Sequence, residues 1–134
     1  MSEGKRSDRL ARVLAVQERK RQQAEWALAE LVREQKGLED TRDELLDTLG
    51  AQSLMQGLFL DAKVSALRRN DLALAAVSAK QVDARERVRT ENMTEKRVER
   101  AAEAALVEDR IAQDAVELLS ALEDHLVARA ASLE

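Results

Sequence analysis

The chain has 134 residues, 45% hydrophobic and 36% charged, with one Trp, one Phe, no Tyr, no Pro and no Cys. Such a composition, rich in Ala, Leu, Glu and Arg and lacking helix breakers, belongs to long helices and coiled coils and excludes β architectures. Lys and Arg total 22 against 26 Asp and Glu, so the formal net charge of -4 speaks against a dedicated nucleic-acid binder. Ala supplies much of the apolar count, so a thin seam is expected rather than a core with the buried cleft an enzyme needs.

Charge is segmented along the chain: residues 1-36 carry a net +3, 37-61 carry -5, 62-101 carry +4 and 102-134 carry -6. The absence of cysteine fits a reducing compartment. Met1-Ser2-Glu3-Gly4-Lys5-Arg6 has no apolar stretch after its charges, so no secretory signal is expected. The longest apolar run, Leu72 to Val77, is far short of a membrane span. A soluble cytoplasmic protein without direct membrane insertion is the expectation.

The first predicted element is a helix over about 8-49. Heptad positions 10, 17, 24, 31, 38 and 45, with 14, 21, 28, 35, 42 and 49, hold eight apolar residues out of twelve, interrupted by Gln17, Arg21, Gln35 and Arg42. Ser7 or Asp8 is placed to cap its start. Gly37 lies inside the pattern and costs about 1 kcal/mol relative to Ala without ending the helix.

A turn is expected over about 50-53. Gly50 suits the left-handed position after a helix, and Ser53-Leu54-Met55-Gln56 has capping-box spacing, which opens a second helix over about 54-131. A longer loop reaching residue 58 is the alternative, because Gly57 blurs the boundary. In the second helix Leu60, Val64, Leu67, Leu74, Val77, Gln81, Ala84 and Val88 continue a seam, the phase drifts through Arg85 to Arg100, and a new stripe follows at Ile111, Ala115, Leu118, Leu122 and Leu126. The fold class is therefore all-α, an antiparallel two-helix coiled-coil hairpin with a longer second helix, organised as a single unit. With the turn near residue 52, residue i faces about 104 - i. That register leaves 105-134 uncovered, and the stripe becomes a partner or oligomer contact.

Chemistry finds few candidates. His125 is the single histidine and there is no cysteine, so neither a zinc site nor a Ser-His-Asp triad is supported, and Gly50 and Gly57 are not followed by the Lys-Ser or Lys-Thr of a phosphate loop. No catalytic residue, metal or cofactor is expected. Exposed carboxylate pairs such as Glu39-Asp40 read as a solvated face, and two aromatics make no stacking platform for nucleic acid. Trp26 falls off the seam and either packs over its edge or anchors a partner. Phe59 sits within Gly57-Leu58-Phe59-Leu60, four consecutive positions that cannot all face a two-helix seam, so the tip is expected to show one apolar side chain outward.

Arg9-Leu10-Ala11-Arg12-Val13-Leu14, the charged Glu18-Arg19-Lys20-Arg21, the Leu58-Phe59-Leu60 tip and Glu95-Lys96-Arg97-Val98-Glu99-Arg100 together give a layout that resembles the FliJ/YscO-type stalk proteins of flagellar and type III secretion export systems. The resemblance is architectural and covers most of the chain. It implies an antiparallel coiled coil similar to the central stalk of rotary ATPases. That stalk would promote assembly and activity of the hexameric export ATPase, link it to the cytoplasmic domain of the export gate and help cycle export chaperones at the inner membrane. By this resemblance the gate contact involves Phe59, Leu60, Val64 and Leu67, and the ATPase contact involves Arg9, Arg12, Glu95, Lys96, Arg97 and Arg100. The acidic 102-134 segment departs from the basic tail of some members. The alternative function is a generic coiled-coil adaptor or scaffold that dimerises through residues 111-126.

Overall fold

The computed structural model describes residues 5-50 and 59-133. The protein is all-α, with α1 spanning Arg6–Gly50 and α2 spanning Leu60–Leu133, 45 and 74 residues long. Proline is absent from the whole chain, which removes the commonest cause of a kink or break in so long a helix. The expected turn at 50-53, the Ser53-Gln56 capping box and the boundary at Gly57 lie outside the described residues.

The helix starts differ from the capping expectation. Lys5 supplies the first carbonyl of α1, accepting from the Arg9 amide at 3.2 Å, and Phe59 does the same for Lys63 at 3.0 Å. Ser7 and Asp8 therefore lie inside the first turn instead of capping it. The Ser7 hydroxyl is spent on a long-range bond to Asp109, and Asp8 Oδ2 is buried without a partner. Gly50 is the last residue of α1 and has no positive φ, so the left-handed position assigned to it is not adopted.

The chain divides into two compact units, one formed by residues 19-93 and the other by 1-18 with 94-134. In the 19-93 unit the helices pair antiparallel. Gln81 Nε2 donates to the Leu31 carbonyl at 3.2 Å and to Gln35 Oε1 at 2.5 Å, and Arg42 meets Asp71 at 3.0 Å. A turn near residue 52 sets Gln35 opposite about residue 69, so the true register is displaced by more than ten residues from that expectation. In the other unit Ser7 bonds Asp109 and Arg6 lies 3.9 Å from Glu108. The 104 - i register places Leu10 near Thr94 and leaves 105-134 bare. Instead Ala105 is 2% exposed and the covered part of α2 runs on to Asp109.

The seam explains both helices. Of the twelve heptad positions in α1, eleven are buried or half-buried, and Arg42 alone is exposed, where it reaches Asp71. In α2 the buried and half-buried residues include an unbroken alternation of four and three: 63, 67, 70, 74, 77, 81, 84, 88 and 91 in one unit, 95, 98, 102, 105 and 109 in the other. The heptad does not drift between Arg85 and Arg100; it is masked there because Glu91 and Glu95 occupy seam positions. The buried apolar residues are Ala24, Val77, Ala102 and Ala105, and buried Ser7, Gln17, Asn70, Gln81 and Glu95 share the seam with them. Small side chains let two backbones approach closely, and Ser7 and Gln81 bond across the seam, to Asp109 in one unit and to Leu31 and Gln35 in the other.

Candidate interaction surfaces

Helices of this kind offer surfaces rather than a cavity. No described helix is long and apolar enough to cross a membrane. Among the described residues no group of three or more His, Cys, Asp or Glu is arranged to hold a metal ion.

The first surface lies where α2 begins. Phe59 and Leu60 are exposed, at 58% and 48%, because they precede the point at which the 4-3 alternation starts, whereas Val64 and Leu67 are half-buried. The four residues expected to act together thus divide into two that a partner can reach fully and two that also serve the seam. Leu58 lies outside the described residues.

The second surface is basic. Arg9, Arg12, Lys96, Arg97 and Arg100 are exposed, and all five belong to the unit formed by 1-18 and 94-134. Glu95 is the exception in this set: at 9% exposure it occupies a seam position, so it holds the helices rather than facing a partner. Its neighbours Lys96 and Arg97 turn outward because 100° per residue carries them off the buried stripe.

The third surface is the apolar stripe. Every residue from 111 to 133 is exposed. Within that segment Ile111 is 63%, Leu118 63%, Leu122 50% and Leu126 60% exposed, and the smaller Ala115 lies between them. Nothing among the described residues covers them, so the stripe from Ile111 to Leu126 is an unpartnered face about 23 Å long at 1.5 Å per residue. These residues are legible in the sequence, but the 104 - i register begins the overhang five residues too early, since register cannot be read from a repeat that permits many.

Trp26 is 66% exposed and lines an open depression with Arg19, Gln22 and Gln23, one turn to two turns before it on the same face of α1. It does not pack over the seam edge. The indole stays in water beside a guanidinium and two amides.

No protein-family model, curated protein or solved structure matches this chain.

Proposed function

We propose that this chain is a non-enzymatic stalk of a flagellar or type III protein export apparatus, which promotes assembly and activity of a hexameric export ATPase and links it to the export gate. The observation that carries the reading is the antiparallel pairing of two long helices through a narrow seam of alanine and polar side chains, with its accessible chemistry displayed along helix surfaces. A stalk needs that arrangement and needs no cleft. The ring contact uses the exposed Arg9, Arg12, Lys96, Arg97 and Arg100, and the gate contact is led by Phe59 and Leu60 with Val64 and Leu67 behind them. Export chaperones would be cycled from the same cytoplasmic position beside the inner membrane.

The deciding experiment is ATP turnover by the hexameric export ATPase of the same cell, with and without the purified chain. Stimulation together with a shift of the ATPase to hexamer is the expected result. Unchanged turnover and unchanged ATPase assembly would sink the stalk reading. The exposed stripe from Ile111 to Leu126 favours the second reading, a coiled-coil scaffold that associates through this segment, and that reading would then lead.

A further inference from the structure

We propose that residues 111-133 of α2 pair with the same segment of a second copy of this chain, antiparallel and centred on Leu122. A contiguous apolar face of this length is rare on a chain that works alone. The stripe is also out of phase with the seam that α1 covers. Continued past Asp109, the 4-3 alternation falls on Ala112, Val116, Leu119, Glu123, Leu126, Ala130 and Leu133, so it shares only Leu126 and Leu133 with the stripe. Ile111, Leu122 and Leu133 instead stand eleven residues apart, a repeat of about 3.67 residues per turn in place of the heptad's 3.5. The stripe is therefore a second apolar face, separate from the continued seam between Ile111 and Leu122 and meeting it at Leu126.

The order of residues in the stripe fits its own reverse. Outward from Leu122 the spacings are the same in both directions, so an antiparallel copy sets Leu118 against Leu126, Ala115 against Arg129 and Ile111 against Leu133. Such a contact is isologous and closes as a twofold dimer. Ala115 is small enough to receive the aliphatic stem of Arg129.

Charge selects the same occupant. Antiparallel helices bring like flanks together, and at 100° per residue Asp114 and Arg129 fall on one flank of the stripe. In the dimer Asp114 of each copy lies within about 1.5 Å, along the axis, of Arg129 of the other, which gives two symmetric ion pairs. Glu117 and Asp124 lie on the far side of the helix. The unfavourable terms are Glu123 near its own counterpart on the opposite flank and the shared net negative charge of the two segments.

The self-pair uses none of the residues assigned to the gate or the ring, and its test reads no ATP turnover, so it and the export reading fail separately. Sedimentation equilibrium of the full chain at tens of micromolar should give a dimer, and Leu118→Asp a monomer of unchanged helix content. Asp114→Arg and Arg129→Asp should each raise the dissociation constant on the order of tenfold, and the double variant should restore it. Glu123→Gln should tighten the dimer. The chain has no native cysteine. Leu122→Cys should therefore cross-link to itself on oxidation, whereas Ile111→Cys should do so only when mixed with Leu133→Cys. A monomer at these concentrations overturns the proposal, as does self-cross-linking of Ile111→Cys as readily as Leu122→Cys, or a double charge variant no tighter than the single ones.

Discussion

Asn70 shows how a polar side chain behaves in so narrow a seam. It is 7% exposed and its Oδ1 has no hydrogen-bond partner, so the residue carries a desolvation cost that an apolar side chain would avoid. Asn70→Leu should raise stability by about 1 kcal/mol, read as a higher urea midpoint with an unchanged slope; a lower midpoint would mean that Asn70 is needed to hold the register. Gly37 is the complementary case. It lies in the interior of α1, and a Cβ added there meets nothing within 4 Å. Gly37→Ala should therefore stabilise the chain by roughly 0.5 to 1 kcal/mol, through the unfolded state as much as the folded one. Both residues were visible in the sequence. The free space around Gly37 and the lone oxygen of Asn70 were not, because each depends on what the other helix presents.

At the scale of the element, α2 contains two kinds of helix surface. Up to Asp109 it has a buried seam, and from Ile111 onward no residue is covered. Helix in the covered part is secured by burial, whereas the overhang relies on propensity, local pairs such as Gln113 with Glu117 at 3.3 Å, and continuity with the turns before it. Removing everything after Arg110 should therefore lower the helical circular dichroism signal in proportion to the residues lost. Measured in a dilution where chains do not pair, the melting midpoint of the remainder should move by no more than about 2 °C. A large drop would show that the overhang contributes packing that its exposure denies. The ion pairs contribute less than their number suggests. Arg42 and Asp71 have side chains 46% and 51% exposed, so Arg42→Ala should cost less than about 1 kcal/mol in a denaturant titration.

The whole molecule shows where periodicity stops being informative. Its helical class followed from composition, because a chain without proline and with few glycines has nothing to oppose helix over long stretches, and the α1 heptad was legible because most of its seam positions are apolar. The exposed stripe was legible for the same reason. The seam of α2 through Glu91 and Glu95 was hidden, since a buried carboxylate at a heptad position reads as solvated surface until its neighbours are known. The function proposed above stands at the same remove, since it rests on an architectural resemblance and on the surfaces left exposed. What the sequence by itself determined was helix, its amphipathic faces and the excess of acid at one end, all of which are local properties of residues three and four apart. Only the tertiary structure decided the register. A seven-residue repeat is satisfied by many slips of one helix along the other, and pairings between distant residues, Gln35 with Gln81 in one unit and Ser7 with Asp109 in the other, show which slip the protein uses.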